Sequence, residues 1–393
     1  MKDIFMQSEQ SEETTRPFPL EGVRILDFSH VLSGPYCTML LADLGAEVIK
    51  IERPGVGDEN RRMRRFTGRS ENDEDYFYPM NRNKKSVVLD LKDPEDLAKA
   101  QELSKTVDAV VENFTPGTMK RLALDYETLC ASNPRIIYCS ISGYGQTGPY
   151  RNRKAYDSII QAVSGVMSIT GELDGPPLRS GLMFADLSGA MYAFSSILVS
   201  LYAREKTGKG NYIDLSMADA LLSLYSTNAA EYMAIGKVPQ RAGSENPGRS
   251  PTGSYQCSDD RFVQIMGGSN ALWPNFCRAL GKPELIEDSR FSTNDDRIVH
   301  RKALREFLTP VFRARSSNEW VELLSNFGLP IAPINTLADA IEDPHFQFRQ
   351  MELKLEHPHS GKIRTINNPF RFSNFKTWRT SPPPLLGEHD DEY

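Results

Sequence analysis

Two carboxylates, Asp157 and Asp186, stand where chemistry is possible. Each lies where an irregular stretch gives way to a run that reads as helix. Asp186 sits in GLMFADLSGAMY (181–192), after an apolar run and before the small residues Ser188, Gly189 and Ala190. A carboxylate at a helix mouth lies beside free backbone N–H groups. It can serve there as a plain N-cap, or stay ionised and reactive and form a covalent acyl intermediate. Asp157, next to Tyr156, opens the helix after a glycine-rich loop. It either favours the first turn of that helix or shares a site with Asp186, one carboxylate attacking while the other tunes polarity or moves a proton.

A second set of residues could hold an anion. Arg53, Lys84, Lys85, Lys92, Arg121 and Lys154 recur near expected strand ends. They read either as solvated surface or as cations converging on a ligand with several phosphates, such as coenzyme A. In VENFTPG (111–117), Asn113 offers a donor and an acceptor and Phe114 a stacking face; the same residues also read as a strand end with a Pro-Gly turn.

Other chemistries are excluded. There is no G-x-S-x-G, and His30 is adjacent to Ser29 and near Ser33, which is poor geometry for a triad. The five cysteines include no C-x-x-C pair and the six histidines are scattered, so no metal site is expected. The cysteines read as free thiols of a cytoplasmic protein. GYGQTG (143–148) runs into Pro149 rather than a helix, so a dinucleotide fingerprint is missing. A net charge of −6 argues against a nucleic-acid surface. No apolar run approaches the ~18 residues of a membrane span.

The elements that must position these residues alternate strand and helix in the first third. Strands are expected at 23–28, 47–52, 86–91, 108–113 and 136–141, with helices at 36–44 and 94–106. This alternation predicts an α/β, doubly wound parallel sheet, with ligands at the carboxyl ends of its strands. Further helices are expected at 155–169, 188–204 (apolar on most faces and buried) and 218–235, and a strand at 212–215. A smaller α+β domain is expected over 225–330, with a strand at 261–266 and helices at 271–280, 301–313 and 317–327. The tail, 351–375, reads as short strands. The polar, acidic residues 1–18 read as a disordered leader.

Six ordered segments resemble the family III CoA-transferases, the CaiB/BaiF type, along 17–391. They are LEGVRILDF (20–28), GAEVIKIER (45–53), NKKS (83–86), VENFTPG, GYGQTGP (143–149) and the Asp186 segment, followed by PLLGEH (384–389). The resemblance implies a Rossmann-like large domain built from 19–224 and 331–393, and an interlocked homodimer. It implies CoA as a substrate, with no permanently bound cofactor and no metal, and small carboxylic acids as the other partners. Asp186 is the implied nucleophile, with Asp157 and Tyr156 beside it. The implied CoA contacts are Val31, Leu32, Ser33, Arg53, Leu89, Lys92, Asn113, Phe114, Thr118, Arg121 and Lys154. Related racemases carry a His where this chain has Tyr156. Tyr, with an ordinary pKa near ~10, is a poor base at neutral pH, so transferase is favoured over racemase and over a binding protein without turnover. Arg179, Arg241 and Arg249 could pair a second carboxylate, which favours dicarboxylic acids such as succinate, oxalate or glutarate.

Overall fold

The computed structural model describes residues 16–63 and 74–393. All but the last three residues of the expected leader fall outside the described residues. Six parallel strands form one sheet in the order β3-β2-β1-β4-β5-β6. They are β1 (Arg24–Asp27), β2 (Glu47–Glu52), β3 (Lys85–Val88), β4 (Ala109–Glu112), β5 (Ile137–Ser142) and β6 (Asn211–Ser216). The inner strands are apolar and buried on both faces, as a sheet covered by helices on each side requires. Strand order reverses between β1 and β4, which makes the carboxyl ends of these two strands the ligand-binding crevice expected of such a sheet.

Helix α1 (Ser33–Asp43) returns the chain from β1 to β2. It starts three residues before the expected 36, which draws Ser33 into its first turn. Gly34 permits this, since a Cβ there would lie 2.2 Å from the Ser29 Cβ. Helix α2 (Pro94–Lys105) is capped by Asp93, whose side chain accepts from the N–H groups of Glu95 and Asp96.

Three helical expectations need correction. The helix expected over 155–169 is α3 (Asp157–Val163), ended at Gly165, whose φ of +86° a side chain would resist, and followed by a 3-10 turn at Val166–Ile169. The one expected over 218–235 breaks into Met217–Ser223 and Ser226–Ile235. The one expected over 188–204 is the 24-residue α4, Phe184–Thr207, which begins before Asp186. Nor is α4 buried all round. Ala190, Ala193, Phe194 and Ile197 pack into the core with Ile25, Leu41 and Ile141. Met191, Val199 and Tyr202 form an exposed stripe, the last two at 67% and 66%. By length and hydropathy α4 could cross a membrane, but one of its faces is committed to the core under the sheet.

The chain divides into two compact units. The larger gathers the residues up to Val166, Arg179–Ala229 and Pro344–Tyr393. The smaller joins Met167–Leu178 to Ala230–Asp343, a wider span than 225–330. Its antiparallel sheet, β7 (Thr252–Gln256), β8 (Phe262–Met266) and β9 (Ile331–Pro333), packs with amphipathic helices through Leu304, Leu308, Phe312, Trp320 and Leu324. Strand β7 was not expected, because Gly253 and Ser254 break its apolar alternation.

In the larger unit the tail forms one hairpin, β10 (Glu352–His357) with β11 (Gly361–Ile366), and then runs back over the sheet. Asn368 donates to Asp43. Strand β3 is an edge strand, and the last residues cover it. His389 N–H donates to the Ser86 carbonyl, Val88 N–H to the Asp390 carboxylate at 2.7 Å, and the Tyr393 hydroxyl to Glu47 at 2.7 Å.

Candidate functional site

The crevice between β1 and β4 is built by interlocked loops. His30 N–H donates to Asn113 Oδ1, and Asn113 Nδ2 donates back to the His30 carbonyl, both at 2.8 Å. The Asn113 amide therefore ties the loop after β4 to the loop after β1. Val31 follows with φ +70°, a costly conformation for a β-branched residue. Its backbone is clamped on both sides: its N–H donates to Asp58 Oδ1 at 3.2 Å, and its carbonyl accepts from Asn60 Nδ2. The Val31 side chain is thereby turned outward, 41% exposed. His30 packs edge-on against Phe114, with ring centroids 5.3 Å apart. Burial, reinforced by the nearby Lys50 charge, pulls its imidazole down to about 4, so the ring is neutral at pH 7. The Ser29 hydroxyl donates to Asp27.

Beneath the crevice lies a buried ionic cluster. Asp27 meets Lys84 Nζ at 3.1 Å and the hydroxyls of Ser29 and Thr38, while Lys50 Nζ meets Asp58 at 3.0 Å and the Ser29 carbonyl at 2.7 Å. Burial alone would push the Asp27 carboxyl up. The two lysines and two hydroxyls outweigh it and hold the group well below the usual range. Burial draws Lys84 down to about 8 against the attraction of Asp27.

Of the six cations grouped as anion-binding candidates, Lys84 is thus spent on internal structure. Lys85 lies at the start of β3, paired with Glu47 and Glu392 at the opposite end of the strands. Arg53, Lys92, Arg121 and Lys154 remain exposed. Arg53 faces Glu59 at 3.8 Å, and Arg121 donates to the Thr118 hydroxyl at 3.0 Å. Leu32, Ser33 and Leu89 are buried, the first two directly after the β1 loop and the third after the edge strand β3.

Asp186 and Asp157 do come together. Asp186 is the third residue of α4, not its N-cap. The N-cap, Met183, makes no side-chain bond, and Asp157 supplies the cap from α3 instead. Asp157 Oδ1 accepts the N–H of Ala185 at 2.8 Å and of Asp186 at 3.3 Å. Its other oxygen accepts Gln161 Nε2 at 2.6 Å. Both Asp157 oxygens thus accept hydrogen bonds, and its charge lies beside Asp186. Tyr156 is the N-cap residue of α3, 75% exposed, and makes no capping bond.

Two expectations about Asp186 change. Burial, with the Asp157 charge added, pushes its carboxyl up to about 7, so it is not held fully ionised. The first-turn N–H groups are also taken, since Phe184 donates to the Leu182 carbonyl and the next two to Asp157. They are not free to stabilise an oxyanion.

Gln161, Asp58 and Asn60 were missed. Gln161 is four residues after Asp157, a spacing that pairs side chains on a helix. Gly57-Asp58 carries the signal of an Asx turn, here with Asp58 accepting from Asn60 N–H.

The strand order places this chain among α/β proteins with a doubly wound parallel sheet, and its helix α4 carries a carboxylate of raised proton affinity, Asp186. Comparison with known proteins makes this specific: residues 20–390 match the model of CoA-transferase family III, and the chain belongs to that family. It is 39% identical to the succinyl-CoA:glutarate CoA-transferase of Homo sapiens, over 94% of this chain and 84% of that protein. It is 40% identical to the acetyl-CoA:oxalate CoA-transferase of Acetobacter aceti, over 94% and 93%. A CaiB/BaiF family protein from Brucella suis superposes with a TM-score of 0.88 at 35% identity, covering 96% of this chain and 98% of that one. The chain is a CoA-transferase, with acyl-CoA as its substrate.

Proposed function

We propose that the enzyme moves CoA from a dicarboxylic acyl-CoA to a free dicarboxylic acid through a covalent intermediate on Asp186. The observation that carries this reading is the Asp186 carboxyl itself, buried beside Asp157 and poised at about 7. A carboxylate of raised proton affinity is a stronger nucleophile once ionised, and near pH 7 a large fraction is ionised. An Asp186 oxygen attacks the thioester carbonyl carbon, the C–S bond breaks, and CoA thiolate leaves with the electron pair, giving a mixed anhydride. The thiolate attacks the Asp186 carbonyl carbon, the donor carboxylate leaves, and an aspartyl-CoA thioester remains. The acceptor carboxylate runs the same steps in reverse. One thioester replaces another, so the exchange is close to thermoneutral.

CoA is assigned to the crevice, with Val31, Leu32, Ser33, Arg53, Leu89, Lys92, Asn113, Phe114, Thr118, Arg121 and Lys154 about it. Relatives named for glutarate and oxalate support dicarboxylic substrates. Arg179, exposed and seven residues before Asp186, is the candidate partner for a second carboxylate. Arg241 is a weaker one, since its guanidinium already donates to the carbonyls of Glu172 and Ser168. Arg249 is exposed on the smaller unit. An interlocked homodimer is proposed as well; the exposed apolar stripe of α4 supports a partner surface. The five free cysteines suit a cytoplasmic setting.

The test is an intact-mass spectrum after incubation with succinyl-CoA, with and without hydroxylamine. A CoA or acyl adduct that hydroxylamine removes and that maps to Asp186 is expected. A protein that turns over succinyl-CoA while its adduct maps to another residue would sink the assignment. A second measurement addresses the crevice. Asn113→Asp keeps the acceptor for His30 N–H but sets a carboxylate against the His30 carbonyl. The KM for succinyl-CoA should rise about tenfold, the cost of one broken buried hydrogen bond, with kcat little changed. An unchanged KM would remove the two loops from CoA binding.

A further inference from the structure

The side chain of Gln161 is fully buried in α3 and makes three hydrogen bonds with two different segments. Its Nε2 donates to Asp157 Oδ2 at 2.6 Å and to the Leu182 carbonyl at 3.3 Å, and its Oε1 accepts the Ser180 N–H at 2.8 Å. The partners fix which end is which. A carboxylate and a carbonyl only accept and a backbone N–H only donates, so a flipped amide would oppose all three. The Asp157 carboxylate, in turn, holds the first turn of α4 through Ala185 and Asp186.

We propose that Gln161 is a positioning residue of the transfer reaction: one buried amide fixes both the Asp157 anion beside Asp186 and the 180–182 backbone that leads to it. This rests on Asp186 being the nucleophile. Acylation turns the Asp186 carboxylate into a neutral anhydride or thioester. A fixed negative charge next to it disfavours the free carboxylate relative to those neutral forms, and so favours the covalent enzyme. Asp157 does this only while it remains ionised and in place. Among the described residues three donors hold its carboxylate, the N–H groups of Ala185 and Asp186 and the side chain of Gln161. After burial, the Asp157 charge is what raises the proton affinity of Asp186 among the described residues.

The experiment compares the wild-type enzyme with Gln161→Met and Gln161→Glu, using succinyl-CoA and glutarate across pH 5.5–8.5 as an assay range of roughly three units about the expected midpoint. Gln161→Met keeps the side-chain length and removes every polar contact. Its kcat should fall about 100-fold, the scale of a small misplacement of a reacting group, with the KM for succinyl-CoA within about twofold. As the Asp157 charge is lost or moves away, the rising limb of kcat/KM should shift to lower pH. Gln161→Glu sets two carboxyls together, which can hold one proton between them. In its protonated form the new carboxyl donates to Asp157 and accepts from Ser180, so activity as a fraction of wild type at the same pH should recover toward the acid end and be lost toward the alkaline end. Wild-type kcat and pH profile in Gln161→Met, or no acid recovery in Gln161→Glu, would overturn the proposal. Should Gln161→Met not fold, the acid recovery of Gln161→Glu decides alone. The nucleophile reading fails separately, through a wild-type adduct on another residue or turnover by Asp186→Ala.

Discussion

Asp186→Asn is expected to stop CoA transfer while making the protein more stable above pH 7. Loss of a covalent nucleophile costs on the order of 10⁴–10⁶-fold in turnover, and acyl-CoA binding in the crevice should persist. The stability effect follows from the buried carboxyl, whose proton affinity is raised in the folded chain from an ordinary 3.8 to about 7. Between these values the folded state holds more protons than the unfolded one, so wild-type stability falls as pH rises from about 4 to about 7 and is level beyond. An amide has no such penalty. The variant should gain about 2–4 kcal/mol at pH 8 and nothing near pH 4, seen as a higher unfolding midpoint in urea. Parallel wild-type and variant curves across that range would show that Asp186 is not destabilised by its site. In the proposed mechanism acylation of Asp186 removes its charge and relieves this penalty.

Lys84→Met should be the most damaging single change away from Asp186. It leaves the Asp27 carboxylate buried with only Lys50 to answer its charge. Removing one partner of a buried ion pair costs about 3–5 kcal/mol. Urea unfolding at pH 7 measures it, and a loss under about 1 kcal/mol would show that Lys50 alone neutralises Asp27. The damage should reach binding too. The same cluster holds the Ser29 carbonyl and the Asp58 side chain, and Asp58 clamps Val31.

The parallel sheet was readable because its strands are short apolar runs set between helices with clear stops, such as Gly45 after α1. The site was readable only in part. The helix holding Asp186 could be seen, but its start could not. Met183 gives no capping signal, and the cap comes from Asp157, twenty-six residues earlier. A side chain that caps another helix looks, in sequence, like one that serves its own. Lys84 and Lys85 show the same limit, since neighbours in sequence part company in space. One is sealed beneath the crevice and the other lies at the far end of the sheet, and only strand register separates them. The break after α3 had a visible cause in Gly165. The break at 224–225 had none: it falls where Ser226 takes a φ of +39°, a conformation that a serine does not announce in sequence.

The closing of the β3 edge by residues 387–393 bears on how the chain is made. Those residues are synthesised long after β3, so the large sheet keeps an open edge until they emerge from the ribosome. The smaller unit has its apolar core within 255–329, all of which is synthesised earlier. Domains commonly fold in order from the amino end. Here the unit encoded in the middle can be finished first, while the sheet of the larger unit waits for residues 387–393 to close its edge. During that wait β3 can pair with a stranger, and growth conditions that slow synthesis beyond the smaller unit should show up as aggregation rather than as inactive soluble enzyme.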